Sequence, residues 1–494
     1  MAPIVPSHVL PALRLAAALA AAACGPSFSA APDGGPGGTD APTVCAPGAT
    51  QACYSGQAGT EGVGPCTGGT LTCNAAGLWG PCVGEVRPVA EVCANGIDEN
   101  CSGTADEDLD QDGDGYTTCG GDCCDADGAG CATAVLVNPG AYEAPGNTVD
   151  DDCDGMVDNA IVATCDAGLT SNPVDPIAYA QAMDLCQTAT LTDGRWGVIS
   201  ARLTLPSGTG TPDPGQHAIR PAFGATTVRA GASFAVLSTG SAAAPGQTAP
   251  AHVDFQQAAQ RSGTTSAFPA DWLAANGGQV PNAPGCPDSN GAEAFDPVML
   301  ELKIRTPSNA RSFRFKTNFL SSEFPEWTCS PFNDFYVVLL DSAWAGTPAN
   351  PADKNLATYS PAAGVIYPVG VNLAYGDTGL FQQCVNGPTG CTVDSVGGTI
   401  STCAGVAELA GTGMDGANPA PNGVVSGAPG SCGVSNLAGG GTGWLTTSGN
   451  VIGGEVITLR IALWDTSDGI YDSVAITDAF EWSVEASQPG TVIQ

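Results

Sequence analysis

The chain has 494 residues, and its 67 glycines and 38 prolines against 6% aromatic residues favour turns and short strands, which argues against an all-α protein. Asp and Glu total 49 and Lys and Arg total 14, which gives a formal net charge of -35. Because this charge would repel a phosphate backbone, we expect no nucleic-acid partner.

The 21 cysteines point to an oxidising compartment. None of them forms a C-x-x-C pair of the kind that holds a metal or carries redox chemistry in a reducing compartment. Unpaired thiols in such number would be hazardous outside the cytoplasm. The chain is therefore predicted to be exported and disulfide-bonded, and its length allows roughly two to four domains.

Residues 1–23 have the pattern of a signal peptide. Arg14 precedes a short apolar run that cannot span a bilayer, and Cys24 and Gly25 follow this run. The small residues before Cys24 resemble a bacterial lipobox, which implies that this cysteine is lipidated, and Gly25 then favours the outer membrane. The alternative is cleavage after Ala30, which would release a secreted protein. Either event leaves twenty cysteines, an even number that can pair completely.

A tether and a cysteine-rich module are predicted next. Residues 24–43 have no apolar period and are typical of a flexible linker. Residues 44–84 contain too little apolar surface to fold alone, so disulfides must hold them. This module has five cysteines and the following segment, 85–160, has seven. If all of them pair within 44–160, the two odd numbers require at least one bridge between the segments.

The segment 85–160 carries an acidic internal repeat. In a calcium loop, alternate side chains turn their oxygens onto one cation and a glycine at position six permits the sharp bend. This spacing predicts three metal-binding loops, whose candidate ligands are Asp98, Asn100, Ser102 and Asp106; Asp110, Asp112, Asp114 and the Tyr116 carbonyl; and Asp150, Asp152, Asp154 and Asp158. The middle loop has Gly121 at position twelve, so Asp122, Asp125 or Asp127 would complete it. For each loop taken singly, a solvated acidic turn is the alternative.

Three motifs in this segment carry a resemblance to a known family. They are E-V-C at 91–93, D-Q-D-G-D-G-Y at 110–116 and D-D-D-C-D-G at 150–155, and they are similar to the metal-binding repeat named after the surface copper protein MopE. The family name implies copper, which prefers imidazole, thiolate or thioether donors. The segment offers carboxylates instead, so calcium is the expected ion and copper the alternative. Ser102 replaces the usual Asp of the repeat, which predicts a weak first site.

From residue 165 onward the pattern changes to β-strands. Apolar residues alternate with polar ones in four segments, 298–304, 313–319, 459–463 and 474–484. We therefore predict a mainly β protein in which a C-terminal antiparallel β-sandwich or jelly roll follows a disulfide-rich, loop-dominated acidic cation-binding module. Strands from both ends must pair, so 165–485 is predicted to be one domain with long insertions such as 404–443. Residues 486–494 are expected to be a tail.

Two pairs of motifs resemble the bacterial choice-of-anchor L surface domain. The first pair is F-L-S-S-E-F-P-E-W at 319–327 with F-N-D at 332–334. The second is G-W-L-T-T at 443–447 with W-D-T-S-D-G-I-Y-D-S at 464–473. The resemblance spans most of 200–484. It implies an extracellular β-sandwich with an undefined ligand, whose anchor would be Cys24.

The same motifs contain a set of acids, namely Glu323, Glu326, Asp334, Asp465, Asp468 and Asp472. We interpret them as a second cation or ligand site at a loop crossing, with backbone carbonyls completing the shell. The alternative is that Glu323 and Glu326 form the carboxylate pair of a glycosidase. The chain has three histidines and lacks the G-x-S-x-G, H-E-x-x-H and P-loop motifs, so no catalytic residue is assigned and no enzyme is expected.

These observations predict an exported lipoprotein of the outer membrane or cell surface, attached through its N-terminal lipid. Calcium would stabilise a disulfide-rich stalk that presents the sandwich for recognition or adhesion. The expected ligand is an extracellular protein or glycan. The alternatives are a secreted carbohydrate-active hydrolase and a surface copper-binding protein.

Overall fold

The computed structural model describes thirteen segments of the chain: 45–89, 91–106, 110–128, 131, 133–159, 165–192, 194–255, 262–289, 291–376, 378–397, 399–415, 432 and 439–493. The predicted signal peptide, Cys24 and the whole tether lie outside the described residues. The described residues of Met1–Ala90 and Ile97–Ala105 form one compact unit. Those of Glu91–Gly96 and Asp106–Gln494 form a second unit.

The first unit is held by disulfides, as its composition predicts. It contains the antiparallel hairpin β1 (Thr50–Cys53) and β2 (Gly69–Thr72). Its disulfides join Cys45 to Cys73, Cys53 to Cys82 and Cys66 to Cys101. Its buried apolar residues among those described are the cysteines Cys66, Cys73 and Cys101. These disulfides, each of which stabilises the fold by roughly 3 kcal/mol, therefore replace a hydrophobic core. The Cys66–Cys101 disulfide joins segments 44–84 and 85–160, as the odd number of cysteines in each segment requires.

The second unit contains most of the regular structure. Its strands are β3 (Gly197–Thr204), β4 (His217–Arg220), β5 (Ala222–Phe223), β6 (Thr226–Thr227), β7 (Phe234–Ser238), β8 (Thr265–Ser266), β9 (Ala294–Arg305), β10 (Ser312–Ser321), β11 (Phe335–Asp341), β12 (Thr358–Ala362), β13 (Val365–Pro368), β14 (Gly387–Thr389), β15 (Thr399–Ser401), β16 (Gly440–Asn450), β17 (Val456–Thr466), β18 (Ser473–Ser483) and β19 (Gly490–Ile493). Its α-helices are α1 (Ile177–Gln181) and α2 (Ala270–Ala275). Short 3-10 turns cover Thr118–Gly120, Ala134–Leu136, Val371–Ala374 and Ala407–Leu409.

Two antiparallel sheets form a sandwich. One has the strand order β19-β16-β10-β18-β7-β4, and the other has the order β11-β17-β9-β3 with β8 on the edge of β9. Side chains of both sheets enter one central hydrophobic cluster, including Phe313 and Phe315 of β10 and Leu300 and Leu302 of β9. The predicted mainly β, antiparallel architecture is confirmed. The pairing of β18 with both β7 and β10 also joins distant parts of the chain, as the strand pattern requires.

The outer faces of both sheets are also covered by apolar clusters. The alternating sequence pattern predicts one buried apolar face for each strand, so the second buried face is a difference. In β11, Tyr336 and Val338 face the central cluster, whereas Phe335 and Val337 enter a second cluster with Trp272 of α2. Val236 of β7 belongs to a third cluster, which also contains Phe255 and Met414 from the long connections. Strands covered on both faces are apolar throughout, because each alternate set has its own core to fill.

A bulge in β18 divides the apolar set predicted near the C-terminus. The register against β10 shifts between the pairs Arg314–Glu481 and Lys316–Asp478, and Ala479 has a φ of 52°. Val474 and Ile476 therefore pack on the outer cluster, whereas Phe480 and Trp482 pack in the central one. An extra residue in one strand reverses the faces that follow it.

Within the second unit, the part of the acidic segment around residues 138–142 is packed against the sandwich. Asn309, between β9 and β10, donates to the Tyr142 carbonyl and accepts from its N–H, both at 2.8 Å. Trp196 Nε1 donates to the Ala141 carbonyl at 3.0 Å, and the Ser308 N–H donates to the Gly140 carbonyl at 2.9 Å. This segment is thus fixed directly to the connection that leads into β10.

Candidate metal centres in the acidic repeat

The middle loop, 110–116, is a tight turn closed by bonds from its own N–H groups to its carboxylates. The carboxylate of Asp110 accepts N–H bonds from Gly113 at 2.6 Å and Gly115 at 3.0 Å. Asp112 accepts from the N–H of Asp114 at 3.1 Å, and Asp114 accepts from that of Tyr116 at 2.8 Å. Gly115, at position six, has a φ of 94°, a conformation that glycine adopts readily. Successive carboxylates are thereby turned towards one side of a tight loop.

Two later acids lie beside this loop. Carboxylate oxygens of Asp112, Asp114 and Asp122 lie within 4.8 Å of one another, as do those of Asp110, Asp112 and Asp125. Of the three acids that the sequence offers as further ligands, the structure brings Asp122 and Asp125 beside the loop. Asp127 accepts an N–H bond from Ala134 at 3.0 Å and lies outside both groups. We call the five clustered acids the middle-loop cluster: Asp110, Asp112, Asp114, Asp122 and Asp125.

The electrostatics of the middle-loop cluster favour a bound positive charge. Asp112 Oδ2 and Asp122 Oδ2 are buried and accept no hydrogen bond from any described residue. Burial, reinforced by the charges of neighbouring acids, raises the pKa of Asp122 to about 6. Burial also raises the pKa values of Asp112 and Asp114. Buried carboxylate oxygens without partners are costly, and a cation or a proton relieves that cost.

The third loop forms a second cluster with a carboxylate that sequence analysis missed. Glu143, Asp150 and Asp152 place carboxylate oxygens within 4.8 Å of one another, and we call them the third-loop cluster. Glu143 is 2% exposed, and its carboxylate accepts N–H bonds from Asp151 at 2.9 Å and Asp158 at 2.6 Å. Burial raises the pKa of Glu143 and of Asp152.

A signal for Glu143 exists in the internal repeat. It precedes Asp150 by seven residues, as Glu91 precedes Asp98 in the first copy. Glu91 accepts an N–H bond from Asp106 at 3.0 Å, which is the counterpart of the bond from Asp158 to Glu143. The acid at this offset therefore has the same local role in both copies, and alignment of the copies would have found it.

The remaining predicted ligands of the third loop have structural partners. Asp154 accepts an N–H bond from Met156 at 2.8 Å and an amide bond from Asn159 at 2.7 Å. Asp158 accepts N–H bonds from Gly146 at 2.6 Å and Asn147 at 3.0 Å, so it closes the preceding turn. Asp154 lies near enough to Asp152 for its charge to raise the pKa of that residue.

The first loop has the same local bonds but fewer carboxylates. In the first unit, Asp98 accepts N–H bonds from Ser102 at 2.9 Å and Gly103 at 3.0 Å, and Asn100 also accepts from Ser102 at 2.9 Å. In the second unit, Asp106 accepts N–H bonds from Asn95 and Gly96, each at 2.9 Å. Within the described part of the chain, no three-carboxylate group forms here.

The acids predicted in the sandwich separate into a group and an outlier. Burial, and after it the charge of Asp334, raises the pKa values of Glu323 and of Asp465. The charge of Asp468 acts on Glu323 and Asp334, and that of Asp472 acts on Asp465. Glu326 lies apart, since burial alone raises its pKa, to about 7.

The donor atoms of both loop clusters are oxygens. All the described cysteines are in disulfides, so none offers a thiolate, and Met156 is 56% exposed on the third loop. Carboxylate and carbonyl oxygens suit hard cations, whereas copper is held by imidazole, thiolate or thioether groups. The residues present therefore fit a hard divalent cation and do not fit the copper that the name of the repeat implies.

Comparison with known proteins gives one match. A family model named for copper binding by MopE, and described as a "Putative metal-binding motif", matches residues 86–107 and 132–159. These matches contain the first and third loops together with Glu91 and Glu143. No curated protein and no solved structure matches the chain.

The motif and the clusters identify a metal-binding segment, and the ten disulfides with this motif indicate an extracellular protein. Across the part of the chain that the structure describes, no helix combines the length and apolar character needed to cross a bilayer.

Proposed function

We propose that this protein is a calcium-binding lipoprotein of the cell surface, in which a metal-stabilised, disulfide-rich segment supports a recognition sandwich. The observation that carries the calcium assignment is the middle-loop cluster. It gathers five carboxylates in one short segment, and two of their oxygens are buried without hydrogen bonds from the described residues. Calcium accepts six to eight oxygen ligands in flexible geometry, which such a group can supply together with carbonyls and water.

Calcium would act by cancelling repulsion between acids that the fold brings together. Without a cation, burial raises the pKa of Asp122 and the charges of Asp114 and Asp112 raise it further, so the approach of these acids costs free energy. With a cation, the same carboxylates become its ligands and cross-link the loop. Asn138 donates to Asp114 at 2.7 Å and accepts from Ser308 at 2.7 Å, so an ordered loop would be coupled to the sandwich.

The proposed recognition role rests on the resemblance to choice-of-anchor L domains and on the extracellular setting. A sandwich whose sheets are covered on both faces leaves its connecting loops as the natural contact surface. The proposed ligand is an extracellular protein or glycan. The proposed attachment is a lipid on Cys24, followed by the tether 24–43.

We propose a binding role and not a catalytic one. Glu323 and Glu326 are 2% and 3% exposed, which supports a structural use of both acids. Burial raises the pKa of Glu326, whereas the charges that raise the pKa of Glu323 are those of Asp334 and Asp468, which does not favour an acid and base pair of the two glutamates. Hydrolysis of a polysaccharide by the purified protein that is lost in Glu326→Gln would contradict this proposal.

The test is a metal titration of the intact, oxidised chain without its signal peptide. Isothermal titration calorimetry with calcium, magnesium and copper in turn should show saturable calcium binding, and calcium should slow proteolysis within 110–159. Asp112→Asn and Glu143→Gln should each weaken one calcium site by at least roughly tenfold, since even an outer partner of a metal has effects of that size. Asp127→Asn, an exposed acid of the same segment outside the clusters, is the matched control.

Copper capture is the second candidate, because the family that matches the repeat is named for copper binding. It predicts tight copper retention that excess calcium does not displace. Binding of copper alone would assign the protein to that role and reject the calcium proposal. Binding of neither metal would reduce the repeat to a solvated acidic spacer.

A further inference from the structure

Asp296 has an unusual backbone conformation near the start of the central strand β9. Its φ is 42°, in the left-handed region that L residues rarely occupy, and Pro297 follows it. Proline restricts the residue before it to extended conformations, because its ring crowds the preceding backbone. Both residues are buried, and Asp296 is 0% exposed. The peptide bond between them is therefore held in a strained segment of the strand.

A bulge explains how β9 accommodates this pair. The register between β9 and β17 shifts there, so that Asp296 and Pro297 both lie opposite Trp464. Two residues opposite one is the arrangement of a β-bulge, and proline is tolerated in a bulge because it has no N–H to give to the ladder. The groups that contact Asp296 indicate a chemical role in addition to this structural one.

Side chains from two other segments fix the carbonyl and the carboxylate of Asp296. Gln216 Nε2 donates to the Asp296 carbonyl oxygen at 2.5 Å and to the Thr239 carbonyl oxygen at 3.0 Å. Gln216 Oε1 accepts the N–H of Asp213 at 3.1 Å, which fixes the orientation of the amide. The N–H and Oγ of Ser262 donate to Asp296 Oδ1 at 2.8 Å and 2.6 Å. An amide donor thus polarises the carbonyl, and the carboxylate of the same residue is held in place.

We propose that the Asp296–Pro297 peptide bond is a self-cleavage site at which the Asp296 carboxylate is the nucleophile. This carboxylate can close a five-membered ring on the carbonyl carbon of its own residue, so the two reacting groups are already linked. As the new C–O bond forms, negative charge moves to the carbonyl oxygen, where Gln216 donates its hydrogen bond. Collapse of this intermediate breaks the C–N bond to Pro297 and leaves a cyclic anhydride.

One water molecule completes the reaction. It gives a proton to the nitrogen of Pro297, which leaves as an amine, and the resulting hydroxide opens the anhydride into the two carboxyl groups of a C-terminal Asp296. The net change is the hydrolysis of one peptide bond, with no oxidant or reductant. Cleavage also removes the restriction that Pro297 places on Asp296, so the strain of the intact strand favours it.

The cleaved chain would remain assembled. The Cys286–Cys329 disulfide spans the bond, so the piece that ends at Asp296 and the piece that begins at Pro297 stay covalently joined until they are reduced. The ladder between β9 and β17 also continues from Val298 to Arg305. Cleavage is therefore visible only after reduction, and it is independent of the proposed calcium sites.

Two other Asp–Pro bonds of the chain are internal controls. They are Asp175–Pro176 and Asp213–Pro214. Asp175 and Asp213 are both described, and neither has a positive φ. Asp175 is also exposed. The three bonds thus have the same covalent chemistry and differ in backbone conformation and neighbours.

The experiment incubates the intact, oxidised chain without its signal peptide at neutral pH and analyses it by mass spectrometry after reduction. An N-terminus at Pro297 should accumulate at least roughly tenfold faster than one at Pro176 or Pro214, since backbone strain of the usual size corresponds to a rate factor of this order. In urea the three bonds should be cleaved at similar rates, because the fold no longer distinguishes them. Asp296→Asn should lose the fast cleavage, whereas a contaminating protease would still cut that variant. Asp175→Asn is the matched control and should cleave at Pro297 as the wild type does.

The wild-type rates decide the question even if Asp296→Asn does not fold. Gln216→Met removes the amide donor at similar volume, and in a variant that keeps the wild-type fold the cleavage should be roughly a hundredfold slower. Three results would overturn the proposal: equal rates at the three bonds of the folded protein, no N-terminus at Pro297, or the same preference for this bond in urea. Each would leave Asp296 as a purely structural residue of the bulge.

Discussion

Burial is the main cause of the shifted pKa values of Asp122, Glu326 and His217. It raises the pKa of Asp122 to about 6 and that of Glu326 to about 7. It acts in the opposite direction on a base, lowering the pKa of His217 to about 4. In each case the charged form loses its hydration, and the neutral form is favoured. A residue that keeps its charge in such a place needs a partner of opposite charge.

His217 predicts a loss of stability on acidification. Its Nδ1 lies 2.6 Å from the hydroxyl of Tyr179, Asp213 partly offsets the loss of hydration, and the charge of Arg220 acts on Tyr179. Because its folded pKa lies below the unfolded value of 6.5, the unfolded chain binds the proton more tightly between pH 6.5 and 4. The stabilisation is complete above pH 6.5, and as the pH falls towards 4 about 3 kcal/mol of the free energy of unfolding should be lost.

The measurement is urea unfolding from pH 7.5 to pH 4. His217→Asn keeps a polar atom near Tyr179 and cannot titrate, so the difference in stability between wild type and variant should shrink with acid. His252→Asn is the control, since His252 is only partly buried, with its Nδ1 2.8 Å from the Ala243 carbonyl oxygen. If the stability difference between wild type and His217→Asn stays constant with pH, His217 does not cause the loss of stability in acid.

At the scale of elements, the connection between β9 and β10 joins the acidic segment to the sandwich. Its residues Ser308 and Asn309 bond to the backbone of 140–142 or to Asn138, and Trp196, just before β3, adds a bond to Ala141. Rings of Tyr142, Trp196 and Trp482 pack edge to face at 6.3 to 6.4 Å. The contact thus combines satisfied backbone groups with aromatic packing, which makes a specific and rigid junction.

Asn309→Ala should weaken this junction. The change leaves the N–H and carbonyl of Tyr142 without their partners in a site where Asn309 is 4% exposed, at a cost of roughly 1–3 kcal/mol for each buried group left unsatisfied. Limited proteolysis in EDTA should cut within 110–159 faster than in the wild type. Asn172→Ala, which removes one exposed bond to the Pro214 carbonyl, should have little effect on either stability or cleavage. Equal cleavage of Asn309→Ala and wild type would show that the segment is held elsewhere.

At the scale of the whole molecule, disulfides stabilise the first unit and hydrophobic packing stabilises the second. The first unit has a hairpin and three disulfides, whereas the second unit has two sheets with a large aromatic and aliphatic core. Much of the net charge of -35 comes from the acids of the repeat. Calcium bound there should therefore raise the free energy of unfolding of the protein. Such a disulfide-rich chain is suited to an extracellular medium free of reductants.

Attachment of the whole molecule is predicted to depend on Cys24. Cys24→Ala should move the protein from the membrane fraction to the medium, because a lipid chain on this residue is the proposed anchor. The measurement is fractionation of cells that express each form, with mass spectrometry of the mature N-terminus. A wild-type N-terminus at Ala31 without lipid would favour the secreted alternative.

Local spacing in the sequence was sufficient to predict several features. The period-2 pattern predicted strands, the D-x-D-x-D-G spacing predicted the tight loops, and the odd cysteine numbers predicted a bridge such as Cys66–Cys101. Each of these features depends on neighbouring residues or on simple counting. They can be inferred because backbone geometry repeats along the chain with a known period.

Only the tertiary structure decided which distant residues meet. It brought Asp122 and Asp125 to the middle-loop cluster and Glu143 to the third-loop cluster. The bulge at Ala479 and the clusters that cover both sheets were likewise invisible in the sequence pattern. Strand register, disulfide pairing and long connections set such contacts, and these depend on the free energy of the whole fold rather than on any local run of residues.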